Sequence, residues 1–316
     1  MGTLTIIIVT WNTREMTRVC LQSIQRVDPD QAWDIVVVDN ASRDGTAEMV
    51  RVEFPRVRLI VNRENLGFGR ANNLALRRVD TDYALLLNSD AELTANAVNE
   101  CLRFMEVHPD VAVAGGQLIY PDGRLQNSIA PFPSLLTELT NKSLLQMLFP
   151  RKFPGKRLRI EGPLEVDSVI GAAMILRVAA VSSVGFFDED YFFFLEETDL
   201  CFRLRQNGWK VFFLPHARFI HHQGRSVAQA KARARVEYQR SLILFFEKNY
   251  GPARAKVVKV HGYLKAWINL LGALPARLFR SSRAHRWKRY RYLLAWYHKG
   301  CPADMGLSSR PVTRNP

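Results

Sequence analysis

Along the first ~115 residues, two textures alternate. Short β-branched, apolar runs fall at residues 4–9, 35–38, 57–61, 83–87 and 111–114, and between them residues 16–27, 46–54, 69–79 and 95–107 carry apolar side chains at helical spacing. A strand covered on both faces reads as a near-continuous apolar run, whereas an amphipathic helix shows a stripe every three to four residues. Alternation of the two predicts an α/β fold, a mixed, mostly parallel sheet with helices on both faces and right-handed crossovers.

The texture then changes. Residues 121–163 hold Pro121, Pro131, Pro133, Pro150, Pro154 and Pro163 around one short helix-like piece at 135–148, and read as a long excursion or lid. Strand texture returns at 166–176, with Gly171-Ala172-Ala173 in its middle, and again at 210–214. Helices are predicted over 178–184, 200–206 (closed by Asn207-Gly208) and 233–250.

Composition adds little until charge is located. The chain is 316 residues, 47% hydrophobic and 23% charged, enough for a sizeable core. Its net charge of +14 is concentrated: from Lys248 to Ala303 there are 13 Lys and Arg and no Asp or Glu, which accounts for all but one of the excess. Residues 251–316 are therefore expected to form a basic helical tail behind a catalytic domain at 1–250. Its cations are interleaved with Tyr263, Trp267, Trp287, Tyr290 and Trp296. That mixture suits a membrane interface or a single nucleic-acid strand, and a plain solvated helix face is the third reading. Cys20, Cys101, Cys201 and Cys301 lie far apart without CxxC spacing, so free thiols of a cytosolic protein are expected. The apolar start is too short for a signal peptide or a membrane span, and no transmembrane helix is evident.

Ligands of open parallel sheets bind outside the carboxyl ends of the strands. Here the ends of the first four runs are polar: Thr10-Trp11-Asn12 after the first run, Asp39-Asn40 through Asp44 after the second, Asn65, Gly67, Asn72 and Asn73 after the third, and Asn88-Ser89-Asp90 after the fourth. Helix capping and turn formation would explain any one of them. No GxGxxG or GxxxxGK[ST] is present, so hydride transfer and P-loop chemistry lack support. An acid at the end of a buried strand, Asp90, suits Mg²⁺ or Mn²⁺ held together with ligand phosphates, and His221 or His222 could complete the shell. In YFFFLEETDLCFRL, residues 191–204, Glu196, Glu197 and Asp199 stand at a helix start behind an aromatic run. The helix dipole and an i,i+4 pair with Arg203 explain Asp199. A carboxylate raised by desolvation and lowered by the dipole is what proton abstraction from a hydroxyl needs.

Taken in order, TIIIVTWN, VVVDNASRDGT, NLGFGRANN, LLLNSDAEL, GAAMILR, FFDEDYFFFLEETDLCFRLRQNGWKV and HHQGRSV resemble the family 2 glycosyltransferases of GT-A fold, in their bacterial rhamnosyltransferase-like branch. The resemblance implies that Thr10 to Asn12 line the nucleotide of a UDP- or dTDP-linked sugar, that Asp39, with Asn40 and Asp44 nearby, meets its base, and that Asn65, Gly67, Asn72 and Asn73 border it. It implies Asp90, behind Asn88 and Ser89, and His221 as metal ligands. The base falls in a Glu-Asp pair that reads Glu196-Glu197 here, so Glu197 stands one methylene longer than usual. The implied reaction is inverting sugar transfer to a glycan or polyprenyl-linked acceptor, by a peripheral enzyme on the cytoplasmic face of the inner membrane. The resemblance favours membrane over nucleic acid for the tail. Other readings are a nucleotide-sugar or nucleic-acid binding module without turnover, and a sugar nucleotidyltransferase. The latter would want a Gly-rich phosphate loop where Trp11-Asn12-Thr13-Arg14 stands.

Overall fold

The computed structural model describes residues 2–30, 32–140, 147–148, 160–222, 231–273 and 284–308. Residues 223–226 of the HHQGRS element, most of the 141–159 part of the excursion, and tail residues Arg277, Arg280 and Arg283 lie outside them. The chain divides into two compact units, one of residues 1–132, 146–189 and 196–226, the other of residues 133–145, 190–195 and 227–316.

The first unit is built on a nine-stranded sheet of order β3-β2-β1-β4-β10-β6-β11-β5, with β8 alongside β11. The strands are β1 (Leu4–Thr10), β2 (Asp34–Asp39), β3 (Arg58–Val61), β4 (Tyr83–Leu87), β5 (Ala91–Leu93), β6 (Val111–Ile119), β8 (Leu164–Glu165), β10 (Ala173–Arg177) and β11 (Lys210–His221); β7 (Ile129–Ala130) and β9 (Ser168–Val169) form a separate pair. Pairs β1–β2, β1–β4, β2–β3 and β6–β11 are parallel, whereas β10 runs antiparallel between β4 and β6. The sheet is therefore mixed and mostly parallel. The single strand expected at 166–176 is two, because the chain breaks at Gly171-Ala172.

Alternation sorts each strand between two cores. Ile6, Ile8 and Val37 face one side with Leu21 and Ile24 of α1 (Arg14–Val27), Met49 of α2 (Thr46–Glu53) and Cys101 and Met105 of α4 (Ala97–Val107). Ile7, Val36 and Val38 face the other with Ala71 and Ala75 of α3 (Phe68–Leu76), past a short α5 (Leu135–Leu139) outside this core, Val181 of α6 (Val178–Ser183) and Leu200 and Leu204 of α7 (Glu196–Gln206). Helices on both faces leave the strand ends as the open edge.

Strand β11 runs seven residues past the predicted 210–214. Its register against β6 shifts between Leu214 and Arg218, around Pro215, which has no N–H for a ladder. Gly116 makes the bulge possible, since a Cβ there would lie 2.1 Å from the Ala217 carbonyl oxygen. Beyond the bulge β11 continues to His221, which pairs with Ala91 of β5.

The second unit is helical: α8 (Lys231–Tyr250), α9 (Pro252–Gly272) and α10 (Ala284–His298) pack on one another. Tyr290, Leu293, Leu294 and Trp296 of α10 are buried with Val236 and Ala266. Trp296 Nε1 donates to the Pro302 carbonyl at 2.9 Å. Tyr290 and Trp296, with Tyr292 and Tyr297 packed against them, thus belong to a helix-on-helix core. Cys20, Cys101, Cys201 and Cys301 are all free thiols. Among the described residues no helix is long and apolar enough to cross a membrane.

Candidate active site

The carboxyl ends of β1, β2 and β4 are tied together by short polar links. Thr10 Oγ1 lies 2.8 Å from Thr17 Oγ1 and 2.9 Å from Thr13 Oγ1, and Thr13 Oγ1 lies 2.9 Å from Ser89 Oγ. This buried hydroxyl chain joins β1 to the Asn88-Ser89-Asp90 turn. Asn12, in the left-handed region at φ 54°, receives the Arg43 N–H on its side-chain oxygen at 2.7 Å and donates its own N–H to Ser42 Oγ at 2.9 Å. Trp11 between them is exposed.

Several predicted contact residues have their polar atoms engaged by the fold. Asn40 donates to Asn65 Oδ1 and the Gly67 carbonyl, and accepts from Asn62 and the Leu66 N–H, so both its donors and both its lone pairs are used. Asn73 donates to the Phe187 carbonyl and Glu189 and accepts the Phe187 N–H, while Asn72 donates to the Phe68 carbonyl. Asp44 accepts from the Arg14 N–H at 2.9 Å and the Thr46 N–H at 3.1 Å, at the starts of α1 and α2. Burial pushes the Asp44 carboxyl up, but these bonds and that of the Thr46 hydroxyl outweigh it and hold it below the usual carboxylate range. Asp199 pairs with Arg203 at 2.7 Å, and Arg203 also donates to the Val184 and Phe186 carbonyls.

Asp39 differs. It is 1% exposed, its Oδ2 accepts the Ser42 N–H at 3.1 Å, and its Oδ1 has no hydrogen-bond partner among the described residues. A buried acceptor left open at a strand end invites a ligand donor.

At the end of β4, Asp90 Oδ1 lies 3.4 Å from His221 Nε2. His221 is oriented from behind by Gln126, which is 6% exposed. The Gln126 side-chain N–H donates to the His221 carbonyl, and Gln126 Oε1 lies 3.0 Å from His221 Nδ1. A carbonyl can only accept, so Gln126 must present oxygen to Nδ1, and Nδ1 must carry the proton. In the neutral imidazole, Nε2 then turns a lone pair toward Asp90. In that state two acceptors face each other, an arrangement suited to a cation. The neighbouring His222 instead pairs with Glu92 at 2.7 Å.

Among the described residues no group of three or more His, Cys, Asp or Glu side chains is gathered for a metal. A carboxylate oxygen and an imidazole nitrogen at a strand end would fit Mg²⁺ or Mn²⁺, which take few carboxylates and complete their shell with phosphate oxygen and water. They do not fit a closed structural zinc site.

Helix α7 opens on the acids. Phe194 and Leu195, immediately before it, have φ of 72° and 66°, a conformation that costs energy for any residue but glycine. Glu196 is 4% exposed, and a Cβ at Gly69 would lie 3.6 Å from its own Cβ. Glu197 is half-buried and faces Gly171, where a Cβ would lie 3.5 Å from its side chain. Burial pushes the Glu197 carboxyl up, and backbone N–H groups of Glu197, Thr198 and Gly171 pull part of the way back. Gly171 adjoins Ala172, whose carbonyl accepts the Asn88 N–H at 2.9 Å. One backbone step therefore links the Glu197 pocket to the turn that carries Asp90.

This mixed, mostly parallel sheet with helices on both faces is the GT-A fold. The family model for glycosyl transferase family 2 matches residues 5–185, and the chain belongs to that family. It is 27% identical over 227 residues to an N-acetylglucosaminyl-diphospho-decaprenol L-rhamnosyltransferase of Mycobacterium tuberculosis, covering 67% of this chain and 73% of that one. It is 28% identical over 172 residues to the rhamnosyltransferase WbbL of Escherichia coli, covering 51% and 63%. These relatives place it in a rhamnosyltransferase-like branch. In fold it is similar to a mannosyltransferase of Pyrobaculum calidifontis solved with GDP-Man and Mn²⁺ (TM-score 0.53, 17% identity, 94% of this chain and 86% of that one). It is also similar to GalNAc-T7 solved with UDP, GalNAc and Mn²⁺ (TM-score 0.54, 14% identity, 70% of this chain), of whose length it spans 44%.

Gln126 was missed by sequence reasoning. It lies in the proline-rich excursion, 95 residues from the histidine it orients, and no local pattern marks it.

Proposed function

We propose that the chain moves L-rhamnose, with inversion, from a dTDP- or UDP-linked donor to a polyprenyl-diphosphate-linked or glycan acceptor in cell-surface polysaccharide synthesis. The observation that carries this reading is the pair of Asp90 Oδ1 and His221 Nε2, 3.4 Å apart with the ring held from Nδ1 by Gln126, beside strand ends with an open acceptor at Asp39. The names of the mycobacterial and E. coli relatives support rhamnose, and the former supports a polyprenyl-linked acceptor.

In this reading Thr10, Trp11 and Asn12 line the nucleotide, and Asp39 Oδ1 accepts a pyrimidine N–H. Asp90 and His221 would hold a divalent cation, which when bound neutralises charge on the diphosphate. Glu197 removes the proton from an acceptor hydroxyl as its oxygen attacks the anomeric carbon in line. The bond from that carbon to the diphosphate oxygen breaks, and the nucleoside diphosphate leaves with the electron pair. Displacement from the opposite face inverts the anomer without a covalent enzyme intermediate. Glu197 is the better base because it keeps solvent access and a raised proton affinity, whereas Glu196 is buried. Residues 251–316 hold the enzyme peripherally at the cytoplasmic face of the inner membrane, where a polyprenyl acceptor is presented.

A panel of nucleotide sugars with Mg²⁺ or Mn²⁺ tests the proposal, with dTDP-rhamnose and an N-acetylglucosaminyl-diphospholipid as the expected pair. Turnover with another sugar would replace rhamnose. Absence of transfer and hydrolysis for every donor, with no metal-dependent nucleoside diphosphate binding, would overturn the enzyme assignment for this site.

A further inference from the structure

Helix α9 carries two apolar faces. Ala255, Val258, Gly262 and Ala266 are buried, at spacings of three, four and four. These small residues form the side turned to α8 and α10. On the opposite side stand Val257, Val260, Leu264, Trp267, Ile268 and Leu271, exposed by 44, 50, 53, 37, 69 and 56%. At 3.6 residues per turn those six fall in an arc about 100° wide, centred opposite the buried stripe. Single exposed apolar residues are ordinary, but six large ones on one helix face form a patch that marks a contact surface. Leu136 and Leu139 of α5, which packs against α9, add to the exposed apolar area.

Charge tells what the surface meets. Arg254 and Lys265 lie along one edge of the arc and Lys256 along the other, with Lys259 further round toward the buried stripe and no carboxylate anywhere on the helix. A second copy of the chain would bring cations against cations. A protein core would leave those ammonium groups desolvated. An anionic lipid surface satisfies both halves, since apolar side chains sink into the headgroup–acyl boundary while long cationic side chains reach back to lipid phosphates. Trp267 has the amphipathic ring that favours that depth. A spanning role is excluded for α9, because it is not apolar enough to cross a membrane.

We propose that the outward face of α9 is a lipid-docking surface, seated in the plane of an anionic membrane with this arc inward. The proposal sharpens the membrane-face location above but is independent of the sugar-transfer reading, because α9 carries none of the site residues.

Flotation of the full chain with vesicles of phosphatidylcholine and phosphatidylglycerol tests it. The wild type should float with mixed vesicles and far less with phosphatidylcholine alone. Leu264→Gln with Ile268→Gln should cut partitioning roughly ten-fold or more. Lys256→Glu with Lys265→Glu should cut it only on anionic vesicles, and Val107→Gln, at an exposed apolar site in the other unit, should change nothing. All substituted positions are exposed, and unchanged thermal melting checks that each variant folds. Unchanged flotation of the Leu264/Ile268 variant would overturn the proposal. So would loss of self-association in that variant, which would make a second copy the occupant, or tight binding of a single-stranded oligonucleotide with no vesicle binding. Donor hydrolysis in vesicle-free buffer should be the same in all variants, so a failed docking experiment leaves the catalytic reading standing.

Discussion

Two acidic sites of the first unit, Asp90 and Glu197, are built on opposite principles. At Asp90 the geometry is set by hydrogen bonds from neighbouring strands: β5 pairs with β11, the bulge at Pro215 carries β11 on to His221, and Gln126 fixes which ring nitrogen is bare. At Glu197 the environment is what counts. A half-buried carboxylate follows two non-glycine residues in left-handed backbone, and burial raises its affinity for a proton. In the proposed reading the first presents a metal-binding lone pair in a fixed direction, and the second a base of raised proton affinity. Substitutions should therefore act on binding at one and on the chemical step at the other.

The largest expected effect is Glu197→Gln, which should lower kcat by roughly 100- to 10,000-fold while donor affinity stays near wild type. Glu196→Gln should cost much less. Wild-type rates in both variants would remove this pair from the chemistry. Asp90→Asn should act the other way, weakening Mn²⁺-dependent nucleoside diphosphate binding by more than a supporting residue does. Titration calorimetry with and without Mn²⁺ separates the two, and an unchanged affinity would break the contrast. Gln126→Leu comes next, with a loss of roughly 10- to 100-fold in Mn²⁺ affinity, because the ring can then rotate or shift its proton. Gln126→Glu keeps an acceptor for Nδ1 and should recover part of it, and equal affinities in both variants would deny Gln126 an orienting role.

These sites differ in how far the sequence betrays them. Strands β1 to β4 and their helices are legible because each is a short apolar run followed by a stripe, and the polar residues at their ends are visible as interruptions. The EETD start of α7 is legible as acids at a helix N-terminus. Strand direction is not: Ala173–Arg177 has the same texture as its parallel neighbours yet runs antiparallel between β4 and β6. Nor is the length of β11, since Pro215 reads as a strand end and the bulge that rescues it depends on Gly116, remote in sequence. The engagement of Asn40 and Asn73 with the fold is invisible for the same reason, as their partners lie on other elements, whereas that of Asp44 with Thr46 matches the capping reading open from the sequence. In the tail, the sequence shows cations interleaved with aromatics, but only packing shows that α10 buries Tyr290 and Trp296 while α9 displays its large apolar side chains.

The proton affinity of Glu197 yields a smaller, pH-dependent effect. The acid limb of kcat/KM should fall above the ordinary glutamate range and be lost in Glu197→Gln. For stability the sign follows from a folded-state value raised above the unfolded one. Between those two values the folded chain binds more protons, so stability falls as pH rises through the window and stays lower above it. Glu197→Gln should thus raise the melting temperature at neutral pH relative to wild type, with the gain shrinking as pH falls through the window between the folded and unfolded values and gone below the unfolded glutamate value. A gain independent of pH would mean that burial is not what tunes this carboxyl.

The smallest effect should come from Asp44, the predicted contact residue whose carboxylate joins the starts of α1 and α2. Asp44→Ala removes the acceptor for the Arg14 and Thr46 N–H groups. By capping precedent the loss is about 0.5–2 kcal/mol of stability. Its sign with pH is the reverse of that of Glu197: a carboxyl held below its unfolded value stabilises at neutral pH, and the contribution fades as pH falls through the folded value. The wild-type advantage over Asp44→Ala in chemical denaturation should therefore shrink in acid, while donor affinity at neutral pH changes little. If donor affinity instead fell as far as in Asp90→Asn with stability intact, Asp44 would belong to the ligand rather than to the helix starts, and the division between binding and framework at this sheet edge would have to be redrawn.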